Sequence, residues 1–251
     1  MTGSVTLVGG GPGDPELLTL AGAAALRAAE VVLYDRLGPR AQLQELAPDA
    51  LLIDVGKTPG HHAVPQDRIN DMLVHHALQG RCVVRLKGGD AFVFGRGGEE
   101  AAACHRAGIE VRVVPGVSSA IAVPAAAGIP VTHRDVSRSF TVISGHVPLE
   151  EAQLSALVAL GGTIVILMGV NGLHGILSGL RRHGMDDAMP LAVIERGFSP
   201  QQRTLVSTVG SASLQFAHER VQSPAVIVIG EVVRVAPAAA VLEDVREAGG
   251  R

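Results

Sequence analysis

The segment 82–107, CVVRLKGGDAFVFGRGGEEAAACHRA, passes from an apolar β-branched run through a glycine-rich loop into a helical stretch. Residues 82–86 are predicted to form a buried strand and residues 98–107 a helix. Within 84–100, six residues are charged and five are glycine. This is an unfavourable composition for a simple connector, because glycine loses the most conformational entropy on folding. Ligands bind where parallel strands end, so the segment predicts a functional loop at the carboxyl end of a strand.

Strands and helices alternate along the rest of the chain. The first series has predicted strands at 5–8, 31–34, 51–55, 82–86 and 111–114, with helices near 15–29, 66–79 and 98–107. The second has predicted strands at 141–144, 163–168, 191–194, 204–207 and 225–229, with helices near 149–160 and 172–183. The repetition in the first series predicts an α/β fold with a mainly parallel sheet. The two series meet at 128–138, so we expect two α/β domains, 1–133 and 134–251.

The composition is that of a globular protein and excludes a general nucleic-acid binder. The 251 residues are 47% hydrophobic and carry a formal net charge of −3, and no basic run occurs. Nucleic-acid affinity rests on clustered phosphate contacts, and an aromatic content of 2% leaves few side chains for base stacking. We therefore expect no nucleic-acid partner.

Targeting, membrane and metal signals are weak. No stretch reaches the ~18 apolar residues of a membrane helix, and the N-terminus lacks the pattern of a signal peptide, so we expect no membrane partner and a cytoplasmic location. Cys82 and Cys104 are too few for a disulfide framework and are expected to be reduced structural thiols. The histidines show no ligand spacing, so no metal is expected.

A first glycine loop, GGGPGDP at 9–15, follows the first predicted strand. The dinucleotide fingerprint G-x-G-x-x-G fails there, because Asp14 stands where its third glycine belongs. Pro12 and Pro15 remove two backbone donors that a pyrophosphate would need. Asp14 before Pro15 is typical of a helix start, whereas three successive glycines indicate that a ligand or another backbone segment approaches closely.

Lysine is rare in this chain and its placement is informative. Only Lys57 and Lys87 are lysines among 21 basic Lys and Arg residues, and each lies beside a glycine at the end of a predicted strand. This placement indicates that both positions need the compact charge of a lysine ammonium group, which an arginine guanidinium would not replace.

Several motifs together resemble one known family. They are VGGGPGD at 8–14, YDRL at 34–37, VRLKGGDAFVFGRGGEE at 84–100, PGVSS at 115–119 and GIPVTHR at 128–134. In this order they resemble the tetrapyrrole methylases, and among them the uroporphyrinogen-III C-methyltransferases. Ala91 departs from the proline usual after GGD and Ala126 from a frequent aromatic; the first should loosen the loop without removing a reacting group.

The resemblance implies two α/β domains with S-adenosyl-L-methionine in the cleft between them, usually in a homodimer. It implies a tetrapyrrole substrate, uroporphyrinogen III, methylated twice to precorrin-2 for sirohaem or cobalamin biosynthesis, and S-adenosyl-L-homocysteine as by-product. Since the extra N-terminal module of multifunctional sirohaem synthases is not found, we expect methylation only. The cofactor-binding residues that it implies are Pro12, Gly88, Gly89, Asp90, Val93, Ser118, Ser119, Met168, Gly197 and Ala225.

The reaction implied by the resemblance suggests further roles. An octacarboxylate needs cations, for which arginine is suited by its bidentate geometry; candidates are Arg36, His133 and Arg134 for substrate binding. Methylation of a pyrrole carbon creates positive charge and releases a proton. The candidate catalytic residues are Asp35 as base, Lys57 as its partner, Arg96, and Glu99 as a second base.

Three alternatives remain open. Within the fold, the acceptor could be a later precorrin, an RNA or a protein. The chain could be a tetrapyrrole carrier without activity, although Asp35, Lys57 and Arg96 argue against lost catalysis. A nicotinamide-dependent dehydrogenase is disfavoured by the failed fingerprint.

Overall fold

The computed structural model describes residues 2–56 and 64–236, and contacts divide the chain into two units, Met1–Ser119 and Ala120–Arg251. The N-terminal unit has five described strands: β1 (Ser4–Gly9), β2 (Val31–Tyr34), β3 (Leu51–Asp54), β4 (Cys82–Lys87) and β5 (Glu110–Val114). Its described helices are α1 (Leu20–Arg27), α2 (Leu43–Leu46), α3 (Gln66–Leu78) and α4 (Gly97–Arg106). The strand order is β3-β2-β4-β1-β5, and every pairing is parallel.

Both faces of this sheet are covered, as a parallel sheet requires. Alternate residues of one strand point to opposite faces, so Leu7 packs in one buried cluster with Leu73 and Cys104, whereas Val8 packs in another with Leu26 and Leu43. The carboxyl ends of β1, β2, β4 and β5 therefore meet at one edge, held rigidly by apolar packing on both sides.

The first helix begins later than the sequence pattern predicts. Asp14 does cap, but its Oδ1 accepts from the Glu16 backbone N–H at 2.9 Å in a single 3₁₀ turn, Pro15–Leu17. The α-helix starts after Thr19, whose Oγ1 accepts from the Gly22 N–H at 3.1 Å. The expected helix over 15–29 is thus two elements with two caps.

The C-terminal unit contains a mixed sheet. Its described strands are β6 (Phe140–Ser144), β7 (Thr163–Leu167), β8 (Pro190–Glu195), β9 (Arg203–Thr208) and β10 (Ala225–Ile229), and its helices are α5 (Ser119–Ala126), α6 (Glu151–Leu160), α7 (Leu173–Arg182) and α8 (Ala212–His218). The order is β6-β7-β10-β8-β9, and only the pairing of β6 with β7 is parallel. The expectation of a mainly parallel sheet, which the first series of strands gave, therefore holds throughout the first sheet, whereas the second sheet is mixed.

The division between units lies at 119/120, whereas the sequence pattern placed a boundary at 133/134. Helix α5 and the segment after it are apolar, and Ala120, Val123 and Ile129 pack with Val165 and Ile194 of the second sheet. Side-chain burial therefore assigns residues 120–133 to the C-terminal unit. Among the described residues, no helix has the length and apolar character needed to cross a membrane.

Candidate functional site

The two glycine-rich loops pair with each other through their backbones. The Gly10 N–H donates to Lys87 O at 2.7 Å, and Gly11 and Gly89 exchange hydrogen bonds of 3.2 and 2.7 Å. The pairing follows from strand order, because β1 and β4 are neighbours and their loops leave the sheet side by side. The loops that the sequence pattern singled out separately thus form one structure.

Glycine is required here because three backbone segments touch. A Cβ on Gly9 would lie 2.5 Å from Gly116 N, and one on Gly116 would lie 2.4 Å from Gly89 O. Real Cβ atoms do not approach backbone atoms so closely, so neither position accepts alanine without a shift of backbone. Part of the glycine content therefore serves contact between loops.

Gly89 differs from these glycines because space is open above it. Its φ is +67°, and a Cβ there would meet nothing nearer than Ser119 N at 3.8 Å. The backbone of the second loop is accessible at this point, with Ser118 and Ser119 beside it. The open backbone at Gly89, with Ser118 and Ser119 beside it, forms a cradle. This cradle fits a ligand that must lie close to main-chain atoms.

Asp90 braces the second loop. Its Oδ1 accepts from the Phe92 N–H at 2.8 Å, and its Oδ2 accepts from the Gly116 N–H at 3.0 Å. The side chain therefore ties this loop to the one after β5. Each oxygen retains acceptor capacity, so the loop contacts leave Asp90 able to accept from a ligand as well.

Asp35 lies directly after β2 and is tied to the same loop. Its Oδ1 accepts from the N–H groups of Leu37 at 3.0 Å and Gly88 at 3.2 Å. The Arg85 Nη2 lies 3.6 Å from Oδ2, and a quarter of the Asp35 side chain stays exposed. The carboxylate is oriented by three partners but still reaches solvent, as a base that meets a substrate must.

Beneath Asp35 lies a buried charge cluster of Arg85, Lys87 and Glu100. Their exposures are 4%, 4% and 0%, and Glu100 Oε1 accepts from Lys87 Nζ at 2.9 Å and Arg85 Nε at 3.1 Å. Burial and next the Arg85 charge lower the pKa of Lys87, although Glu100 acts in the opposite direction. Sequence reasoning did not select Arg85 or Glu100. A charged residue inside an otherwise apolar buried strand was the available signal for Arg85.

Arg96 and Glu99 form an exposed ion pair where α4 begins. Arg96 Nε donates to Glu99 Oε1 at 2.7 Å and Nη2 to Oε2 at 2.6 Å, and both side chains are more than half exposed. This hydrogen bonding lowers the pKa of Glu99 and raises the pKa of Arg96. A carboxylate with a lowered pKa is a weaker base, so the pair is better suited to charge recognition than to proton removal. Val93 lies in the same loop and is 37% exposed.

Three further candidate residues of this unit remain, namely Arg36, Pro12 and Lys57. Arg36 follows Asp35, and its Cγ lies 2.7 Å from the position that a Cβ on Gly56 would take. Pro12 is partly exposed in the first glycine loop. Lys57 lies outside the described residues, so its proposed pairing with Asp35 is not addressed by the structure.

In the C-terminal unit, the candidate cofactor residues share one sheet edge. Met168 follows β7, Gly197 follows β8, and Ala225 begins the antiparallel β10 between them. A Cβ on Gly197 would lie 2.6 Å from Val123 Cγ2, so close packing of α5 requires the glycine. His133 and Arg134 lie elsewhere in this unit, in a turn closed by two hydrogen bonds between the backbones of His133 and Ser137, both 2.9 Å.

Backbone strain is concentrated in these loops. Among the described residues, six non-glycine residues have positive φ, and five of them follow β4, β7 or β8: Phe94, Arg96, Met168, Arg196 and Phe198. Each such residue costs about 1–3 kcal/mol and persists where the surroundings enforce it, commonly at functional sites. Across residues 2–56 and 64–236, no cluster of three potential metal ligands is found.

The chain is similar to several known proteins in sequence and structure. An S-adenosyl-L-methionine-dependent uroporphyrinogen III methyltransferase from Methanosarcina barkeri is 48% identical over 237 residues, 93% of each chain. A siroheme synthase from Edwardsiella ictaluri is 45% identical over 94% of this chain but 51% of its own length. The crystal structure of uroporphyrin-III C-methyl transferase from Thermus thermophilus, complexed with S-adenyl homocysteine, is 40% identical with a TM-score of 0.76, covering 93% of this chain and all of that one.

The family model for Tetrapyrrole (Corrin/Porphyrin) Methylases matches residues 4–213, which include both glycine loops and the strands of both sheets up to β9. With identities above 40% over more than nine-tenths of the chain, this match leads to one conclusion: the chain belongs to the tetrapyrrole (corrin/porphyrin) methylases.

Proposed function

We propose that the chain is an S-adenosyl-L-methionine-dependent C-methyltransferase that converts uroporphyrinogen III to precorrin-2 by two successive methylations. The observation that carries the proposal is the cradle at Gly89, which lies where the two glycine loops pair. The oriented carboxylate of Asp35 is hydrogen-bonded to the adjacent Gly88. Relatives named for this activity align over nearly the whole chain.

The residues of the cradle fit the cofactor. When bound, S-adenosyl-L-methionine supplies an electrophilic methyl group on a sulfonium. The open backbone at Gly89 admits close approach, and Asp90 can accept from an ammonium or hydroxyl group. We assign cofactor binding to Pro12, Gly88, Gly89, Asp90, Val93, Ser118 and Ser119, and from the C-terminal unit to Met168, Gly197 and Ala225.

The tetrapyrrole carries eight carboxylates, and exposed cations of the chain bind them. The Arg96 guanidinium is held in a fixed fork by Glu99 but is more than half exposed, so it can exchange or share this partner. Arg36, His133 and Arg134 are the further substrate-binding residues. Because a pyrrole carbon is already nucleophilic, the main task of these residues is orientation.

Asp35 removes the proton that the methylated ring releases. The Gly88 N–H is shared by the two oxygens of Asp35, at 3.2 Å from Oδ1 and 3.4 Å from Oδ2, and Oδ1 also accepts from the Leu37 N–H. Oδ2 accepts the longer branch of this bond and lies 3.6 Å from Arg85 Nη2, so it is the less engaged oxygen, and we assign the proton to it. Lys57 is the proposed partner of Asp35, and Glu99 is the weaker second candidate because the pKa of its carboxyl is lowered.

Three finer features belong to the same proposal. We propose a homodimer, a cytoplasmic location, and delivery of precorrin-2 to sirohaem or cobalamin synthesis. Light scattering on the purified chain would test the first of these, with a mass near twice 25.9 kDa expected.

The deciding experiment is an anaerobic assay with enzymatically generated uroporphyrinogen III and S-adenosyl-L-methionine, followed by mass spectrometry of the tetrapyrrole. Two added methyl groups are expected. One added methyl group would contradict the double methylation. No transfer by a protein that binds S-adenosyl-L-homocysteine would assign the chain to a different acceptor, such as a later precorrin.

A further inference from the structure

Three buried charged side chains of the N-terminal unit take no direct part in the proposed chemistry. Arg85 and Lys87 are each 4% exposed and Glu100 is fully buried. Removing a charge from water costs several kcal/mol before its partner compensates. A cluster of three such groups next to a ligand cradle therefore calls for a reason beyond stability.

Glu100 is bound through a single oxygen. Its Oε1 accepts from Lys87 Nζ at 2.9 Å, Arg85 Nε at 3.1 Å and Gln66 Nε2 at 3.1 Å. Its Oε2 is buried and has no hydrogen-bond partner in the two described ranges, 2–56 and 64–236. The contacts of Glu100 within these ranges thus converge at one atom, and loss of the carboxylate would release both cations together.

The position of Glu100 connects the two ends of the loop 88–96. Arg85 and Lys87 belong to β4, which leads into the loop, and Glu100 lies in the first turn of α4, which follows it. A backbone hydrogen bond of 3.0 Å from Gly97 N to Ala91 O closes the loop from within. The ion pairs of Glu100 therefore hold both ends of the loop, the end that follows β4 and the end that precedes α4.

Arg85 extends this fixation to Asp35. While Nε donates to Glu100, Nη1 donates to Leu86 O at 2.7 Å and Nη2 lies 3.6 Å from Asp35 Oδ2. Arginine presents these donors in a rigid planar fork, so the direction of Nε determines where Nη2 lies. Asp35 in turn accepts from the Gly88 N–H, at the first residue of the loop.

We propose that Glu100 is a positioning residue, which acts through Arg85 and Lys87 to hold the loop 88–96 and Asp35 in the geometry required for cofactor binding and proton removal. Functional groups need such support to within about 0.5 Å. The part that concerns Asp35 rests on the proposed function, whereas the part that concerns cofactor affinity does not depend on which acceptor is methylated.

The first test is a double-mutant cycle on the full chain, with calorimetric titration of S-adenosyl-L-homocysteine. Glu100→Gln and Arg85→Met should each raise the dissociation constant about tenfold, and the double variant should bind about as well as either single variant, because both changes break one connection. Unchanged affinity in Glu100→Gln, or effects that multiply to about a hundredfold in the double variant, would overturn the proposal.

Steady-state kinetics separates positioning from loss of folded protein. Glu100→Gln should raise KM for S-adenosyl-L-methionine and lower kcat while KM for the tetrapyrrole is unchanged. A variant that only folds less well would lower kcat alone, and this result would refute the proposal. Glu151→Gln, which removes an exposed carboxylate paired with Arg182, is the matched control and should leave all three constants unchanged.

A milder variant keeps the test valid if Glu100→Gln does not fold. Gln66→Leu removes one donor to Oε1 without leaving a buried charge unpaired, and should weaken S-adenosyl-L-homocysteine binding about threefold; unchanged affinity would count against the proposal. Failure of the wild-type chain to bind S-adenosyl-L-homocysteine would overturn the proposed function and this inference together. Normal wild-type binding with no effect of the variants would overturn only the inference.

Discussion

Individual carboxylates near the glycine loops differ in what surrounds them. Asp35 and Asp90 accept from backbone N–H groups, Glu99 pairs with an exposed guanidinium, and Glu100 neutralises two buried cations. Acceptor geometry and burial therefore assign different tasks to chemically similar groups. The role of each is open to a substitution that removes one contact at a time.

Asp90→Ala is expected to raise the dissociation constant for S-adenosyl-L-homocysteine by at least tenfold. The change removes two loop hydrogen bonds and an acceptor for the cofactor, each of which contributes about 1 kcal/mol or more. Calorimetric titration measures the effect. Arg96→Ala serves as comparison, since it should raise KM for the tetrapyrrole and leave S-adenosyl-L-homocysteine affinity within about twofold; equal affinity of wild type and Asp90→Ala would contradict the role of Asp90.

The two cysteines should differ in reactivity. Burial and next the Glu100 charge raise the pKa of the Cys104 thiol from 9.0 to about 11, whereas Cys82 is exposed. Iodoacetamide at pH 8 should label Cys82 in the native protein and Cys104 only after unfolding, as read by peptide mass spectrometry. Cys82→Ser should leave no thiol that reacts rapidly.

The raised pKa of Cys104 also has a consequence for stability. Between pH 9 and about 11 the unfolded chain loses this proton while the folded chain retains it, so this group's contribution to stability falls as pH rises through that window. Cys104→Ala should reduce the fall in melting temperature over this range; an identical pH dependence in both proteins would argue against a buried, protonated thiol.

At the level of elements, the loops after β1, β4 and β5 form one structure because their strands are adjacent. Gly9 and Gly116 have no room for a side chain, because each lies against the backbone of the other and of Gly89, so these loops cannot vary independently. Helical glycines on the surface have no such constraint. Replacing one glycine of each kind by alanine therefore separates the effect of helix propensity on stability from the effect of tertiary contact.

Gly116→Ala should destabilise the protein by more than about 2 kcal/mol, because its Cβ would lie 2.4 Å from Gly89 O and 2.5 Å from the Gly9 backbone, an overpacking clash with backbone. Gly175→Ala is the matched change in α7, where a Cβ meets nothing within 4 Å, and it should stabilise by roughly 0.5–1 kcal/mol. Urea denaturation measures both. Equal effects of the two substitutions would show that the loop contact is unimportant.

For the whole molecule, ligand binding should be visible as stabilisation. A ligand that binds only the folded state, at a hundred times its dissociation constant, adds roughly 2.7 kcal/mol, which for a protein of this size corresponds to about 5–10 °C in melting temperature. We expect S-adenosyl-L-homocysteine to produce a shift of this size in a thermal scan. Gly116→Ala, if folded, should show a much smaller shift, and no shift in the wild type would contradict the cofactor assignment.

The sequence by itself predicts the α/β class, the parallel first sheet and the family, and the structure and the comparisons confirm all three. These features depend on local patterns: β-branched runs, capping residues, and glycines at strand ends. The functional roles of Asp35, Asp90, Arg96 and the other candidate residues remain predictions. The structure adds the contacts that make those roles testable.

Tertiary structure alone determines which of these residues meet. Glu100 lies 15 positions from Arg85 and 34 from Gln66. The sequence pattern does not distinguish it from any other acidic residue in the first turn of a helix. Strand order brings Gly9, Gly89 and Gly116 into contact, and packing of α5 places the division between units at 119/120. Local patterns encode the conformation of neighbouring residues, whereas contacts between distant residues depend on how the strands are ordered and how side chains pack around them.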